Sequence, residues 1–89
     1  MKSCKCRVRG RVQGVWYRKY TKEVADRLGI SGEVQNMDDG SVEVRATMDE
    51  EAFGPFIEAL KKGPPLARVD AVEIEESGEV YTGGFRIVR

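Results

Sequence analysis

The stretch Gly10-Arg11-Val12-Gln13-Gly14-Val15-Trp16-Tyr17-Arg18 decides how this chain is read. Upstream of it, Cys4-Lys5-Cys6-Arg7-Val8-Arg9 alternates apolar with charged residues, the period of a half-buried strand. Downstream, Tyr17, Tyr20, Val24 and Leu28 recur at three- and four-residue spacing, the stripe of an amphipathic helix. What lies between is a glycine-bracketed turn that joins a strand to a helix. Such a turn leaves the first helical N–H groups unpaired, with the positive end of the helix dipole behind them, which suits an anion. Arg18, in the first helical turn, adds a permanent charge and a planar fork of donors matched to phosphate. The two glycines satisfy neither the Walker pattern nor Gly-x-Gly-x-x-Gly. By itself the stretch therefore fits equally a plain tight turn followed by a solvated arginine.

The rest of the composition narrows the setting. Eighty-nine residues give one core and one domain, residues 1–89, and at 40% hydrophobic the chain can fold unaided. Lys plus Arg and Asp plus Glu both number 15, so no overall field recruits nucleic acid or an anionic membrane, and any anion specificity has to be local. No apolar run is long enough for a signal peptide or a membrane span, which places the chain in the cytosol by expectation. With charges interspersed and no exposed apolar stripe, the expected state is a monomer. Cys4 and Cys6 point to one face of the same strand, too far apart for the Cβ separation of about 3.8 Å that a disulfide needs. There is no histidine and no second cysteine pair, so the two read as buried, reduced thiols and no metal site is expected.

Taken in order, residues 4–9 form a strand with Cys4, Cys6 and Val8 on its core face, and residues 17–28 a helix that Gly29 stops. Residues 31–37 form a second strand. Asp38-Asp39-Gly40 follows as a tight hairpin turn of the primed kind, leading into a third strand over residues 41–47. Asp49 is placed to cap a second helix with Phe53, Phe56, Ile57 and Leu60 inward. Gly54-Pro55 either kinks that helix or marks where its regular part begins. After Gly63-Pro64-Pro65, a fourth strand covers residues 67–76 with Val72 and Ile74 inward and room for a bulge before Ala71. Residues 77–84 are a loop, and Phe85-Arg86-Ile87 a last short strand. The order β-α-β-β-α-β is that of an α+β, ferredoxin-like open-faced sandwich. Its sheet is mostly antiparallel, with two helices on one face and a short fifth strand at an edge. Its open face carries Lys5, Arg7, Arg9, Glu33, Gln35, Glu43, Arg45, Glu73 and Glu75.

In this topology Asn36, at the end of the second strand, returns near the glycine turn and Arg18. It reads either as a turn former or as a neutral amide able to hold a water. At this point the motifs Gly10-x-Val12-Gln13-Gly14-Val15-x-Tyr17-Arg18, Gly32-x-Val34-x-Asn36-x-x-Asp39-Gly40-x-Val42-Glu43, Gly63-Pro64-x-x-Ala67-x-Val69 and Phe85-x-Ile87 together resemble the acylphosphatase family over nearly the whole chain. The resemblance implies a ferredoxin-like enzyme that hydrolyses the carboxyl-phosphate bond of small acyl phosphates without metal or cofactor. It puts the phosphate-binding arginine at Arg18 and the water-positioning asparagine at Asn36. It lays the phosphate against the backbone of Arg11, Val12, Gln13, Gly14, Val15 and Trp16. Trp16 stands where the family often has a small residue, and Met37 where some members have threonine.

That chemistry needs few groups. The leaving carboxylate is stable without protonation, so what remains is to position a water in line with phosphorus and to neutralise the phosphoryl oxygens. Two other readings share the fold, a non-catalytic acyl-phosphate or anion-binding module and a nucleic-acid-binding domain. The second would need stacking aromatics on the open face, where this chain has none.

Overall fold

A computed structural model describes all of residues 1–89. Its elements are β1 (Lys2–Arg11), α1 (Tyr17–Leu28), β2 (Ser31–Asn36), β3 (Val42–Met48), α2 (Glu50–Lys62), β4 (Arg68–Glu76) and β5 (Phe85–Val88). They build one five-stranded sheet in the order β4-β1-β3-β2-β5, antiparallel throughout except where β5 runs parallel to β2. This is the ferredoxin-like α+β sandwich that the element order predicts. α1 lies over β2 and β5, and α2 over β4 and β1.

The layer between helices and sheet follows from the two periodicities. Alternation in β1 sends Cys4, Cys6 and Val8 inward, where they meet Val42, Val44, Ala46 and Val34 from the neighbouring strands. From above, α1 contributes Tyr17, Val24 and Ala25, and α2 contributes Phe56, Ile57 and Leu60. The two cysteine Sγ atoms lie 3.9 Å apart as free thiols in this layer. The hydrogen bond to Cys4, together with burial, holds the Cys6 thiol far above its ordinary pKa. Thr21 is fully buried on α1 although the apolar stripe omits it. Its hydroxyl donates to the Tyr17 carbonyl oxygen at 2.9 Å, so the polar group enters the core already satisfied. Two phenols join the helices: Tyr17 Oη donates to Leu60 O and Tyr20 Oη to Ala59 O, each at 2.6 Å.

Several local expectations differ in detail. Gly10 lies inside β1 rather than in the turn. The register shifts beside it, with Arg9 opposite Ala71 and Gly10 opposite Val69, so Asp70 is the extra residue of the bulge expected before Ala71. A Cβ on Gly10, whose φ is 132°, would stand 2.1 Å from the Arg68 carbonyl oxygen. The hairpin turn is not primed. Met37 O accepts from Gly40 N–H and Ser41 O from Met37 N–H, and of the turn residues only Gly40, at φ 90°, has a positive φ. That is an ordinary turn followed by a left-handed glycine, which lengthens the loop and ends β2 at Asn36. α2 runs unbroken through Pro55, whose exposed position puts the missing N–H on the solvent side, while Asp49 occupies the capping position without a side-chain bond. Ile74 is 43% exposed, because β4 is an edge strand with a neighbour on one side only.

Candidate active site

Strand direction brings the site together. β1 and β2 are each antiparallel to β3 and so run the same way, and β5 runs parallel to β2. The carboxyl ends of all three strands therefore meet at one end of the sheet, where α1 begins. Val8, Val42 and Asn36 form one row across the sheet, and Val88 pairs with Gln35, which brings Arg89 alongside Asn36.

Residues 12–16 connect β1 to α1. Val12 and Val15 are buried and pin the connection into the core, leaving the intervening backbone at the surface. Gly14 at φ 73° and Trp16 at φ 68° are the only positive-φ residues between Arg11 and Leu28, so the sign of φ alternates from Gln13 to Trp16. Alternation of this kind turns successive N–H groups toward one concavity, a nest for an anion. Nothing in the protein competes for them: no backbone or side-chain acceptor takes the N–H of any residue from Gln13 to Lys19. The helix start reinforces this. Trp16 occupies the capping position without a capping bond, and the first turn holds no acidic residue, so the positive end of α1 stays uncompensated.

A cleft of about 450 Å³ opens here, lined by Val12, Gly14, Trp16, Tyr17, Arg18, Lys19, Asn36, Ile87 and Arg89. Arg18 has no carboxylate partner. Asn36 Oδ1 is buried and accepts no hydrogen bond, so the amide keeps unused bonding capacity at the cleft. Of the residues predicted to form the site, Arg18, Asn36, Val12, Gly14 and Trp16 line this one cleft. Val15 points into the core, and Arg11 closes β1 opposite Arg68 at the margin of the loop. Gln13 directs its side chain elsewhere. Its Nε2 donates to Met37 O and to Ser41 O, both at 2.8 Å, which fastens the loop to the β2–β3 turn. That turn is itself braced. Asp39 Oδ1 accepts from Ser41 N–H at 3.0 Å and Ser41 Oγ–H at 2.5 Å, and Oδ2 accepts from Arg7 and Arg9 at 3.3 Å each. The Ser41 bonds, with the two guanidinium groups behind them, pull the Asp39 carboxyl down to about 2.

The Gln13 staple, Tyr17, Lys19, Ile87 and Arg89 are the site members that sequence reasoning missed. The two carbonyls that hold Gln13 lie 24 and 28 residues away, so no local pattern marks them, whereas Asp39-x-Ser41 carries the signature of a side-chain turn. No group of three or more His, Cys, Asp or Glu side chains is gathered in a way that could hold a metal ion. No helix is long and apolar enough to cross a membrane.

Fold and cleft together define a class: small α+β sandwiches that offer an anion the bare amino end of their first helix. A family model described as acylphosphatase matches residues 4–87. The chain is 51% identical over 77 residues to an acylphosphatase of Thermotoga petrophila, covering 86% of each chain. It is 48% identical over 80 residues to one of Thermus thermophilus, covering 90% of this chain and 91% of that one. The crystal structure of acylphosphatase from Bacillus subtilis superposes with a TM-score of 0.94 at 37% identity, covering all of both chains. This chain belongs to the acylphosphatase family.

Proposed function

We propose that the chain, as one acylphosphatase-like domain over residues 1–89, hydrolyses small acyl phosphates to a carboxylate and inorganic phosphate. The observation that carries this reading is the run of unpaired N–H groups from Gln13 to Lys19 beside an arginine free of any carboxylate, in a cleft that also holds Asn36. In this reading the phosphoryl group lies on the backbone of residues 11–16, and Arg18 neutralises its oxygens. Asn36 orients a water for in-line attack. The P–O bond to the acyl oxygen breaks as the bond from water to phosphorus forms, the carboxylate leaves unprotonated, and the water's proton passes to a phosphoryl oxygen. No general acid is needed, in keeping with a cleft without His, Asp or Glu side chains. Every role is one of position and charge, fixed before the substrate arrives.

Release of phosphate from benzoyl phosphate without added metal tests the reading, and EDTA is expected to leave the rate unchanged. Saturable phosphate binding with no turnover would instead make the chain an anion-binding module. Arg18→Ala should lose both phosphate binding and turnover, and Asn36→Ala should act mainly on kcat, each by on the order of 10² to 10³. Full kcat in Asn36→Ala would remove the asparagine from the mechanism. We also infer a monomer working in the cytosol. The exposed edge strand β4 carries Arg68, Asp70, Glu73, Glu75 and Glu76, charges that discourage edge-to-edge pairing.

A further inference from the structure

The cleft is larger than a phosphoryl group requires, and its surplus is basic. About 450 Å³ leaves room for an acyl group beside the phosphate. Eight of the fifteen Lys and Arg side chains make ion pairs, among them Lys5, Arg7, Arg9, Arg45 and Arg86 on the open sheet face. Arg18, Lys19 and Arg89 are not among them. All three line the cleft, and no acidic side chain does. A chain with zero formal net charge thus gathers three uncompensated basic residues at one place. One of them is held without being neutralised, since Lys19 Nζ sits 5.7 Å from the centroid of the Trp16 ring, an attraction that leaves its charge free for a ligand. Trp16 is 70% exposed, on a backbone position set by its positive φ, and with Ile87 supplies apolar wall to the same cleft.

Resting on the hydrolase reading above, the geometry points to an acyl-group subsite formed by Trp16, Lys19 and Arg89, which selects acyl phosphates whose acyl portion carries a negative charge of its own. With the phosphoryl group on the loop and Arg18, the body of the acyl group lies against Trp16 and Ile87, and its distal anion meets Lys19 and Arg89. Outside the cleft 12 basic side chains face 15 acidic ones, so no general field draws in an anion; the preference is set inside the cleft and is screened by salt.

The test compares benzoyl phosphate with 4-carboxybenzoyl phosphate. The two differ by one carboxylate, held at the far side of a rigid ring where it cannot attack its own anhydride. The wild-type protein should show kcat/KM about three- to fivefold higher for the carboxylated substrate at low ionic strength, with the gap closing at about 1 M salt. Lys19→Gln combined with Arg89→Gln should remove the gap, while Arg27→Gln, which deletes an unpaired cation in the last turn of α1 outside the cleft, should keep it. Equal kcat/KM for both substrates in the wild type, or a gap that survives the double variant, overturns the subsite. Failure to release phosphate from either substrate overturns the hydrolase reading instead.

Discussion

At Gly14 the backbone φ of 73° is the whole case for glycine, because a Cβ there would meet nothing within 4 Å. Gly10 presents the opposite situation, since its Cβ would run into the Arg68 carbonyl oxygen at 2.1 Å, a backbone atom that cannot step aside without breaking the β1–β4 pairing. The two substitutions to alanine should separate accordingly. Gly14→Ala is expected to cost about 1–2 kcal/mol, the penalty of a left-handed non-glycine residue. Gly10→Ala should cost on the order of 4 kcal/mol or more, with loss of the edge strand. Chemical denaturation of both variants checks this, and equal losses would refute the assignment of Gly10 to a close strand approach. Trp16 bears the left-handed strain without being glycine, which marks its position as one where backbone geometry outranks local preference.

Among the elements, the loop of residues 12–16 is held from three sides: Val12 and Val15 below, the start of α1 behind, and the Gln13 amide across to the β2–β3 turn. Both carbonyls that Gln13 uses already accept a turn hydrogen bond, so removing its side chain leaves neither orphaned. Gln13→Leu should therefore change stability by only about 1 kcal/mol. Its larger effect is expected on KM and on the calorimetric affinity for inorganic phosphate, because the loop loses its tie to the strand that carries Asn36. An unchanged KM would show that Val12 and Val15 alone hold the loop in shape. α1 serves the same end through Tyr17, whose hydroxyl fixes the first helical turn to Leu60. Burial raises the pKa of that phenol, so it stays a donor across the working range.

Across the whole molecule the open sheet face is a chain of alternating charges. It runs from Glu73 through Arg9, Asp39, Arg7, Glu43 and Arg45 to Glu33 and Arg86, crossing every strand. With these cations already paired to carboxylates, the face is poorly suited to a nucleic-acid backbone. Asp39 links the network to the turn behind the active site, which makes that coupling visible in a pH titration. Its carboxyl titrates at about 2 in the folded chain against an ordinary 3.8, so the stability it contributes is complete above about pH 4 and is lost as pH falls through 2. The melting temperature of Asp39→Asn should lie below that of the wild type near neutrality and converge with it toward pH 2. A constant difference over that range would mean the ionised carboxylate plays no part.

The sequence by itself determined whatever depends on local periodicity and local stereochemistry. The alternation of Cys4, Cys6 and Val8 specified the core face of β1, the spacing of Tyr17, Val24 and Leu28 specified α1, and Gly14 with Arg18 marked the turn proposed to hold an anion. Only the tertiary structure decided what depends on strands paired across long stretches of chain. That includes the place of Gly10 against β4, the exposure of Ile74 on an edge, the hold of Gln13 on the hairpin, and the meeting of Lys19, Ile87 and Arg89 in one cleft. The physical reason is range: periodicity and φ preferences act over a few residues, whereas hydrogen-bond partners and uncompensated charge become defined once the sheet order brings distant carboxyl ends side by side.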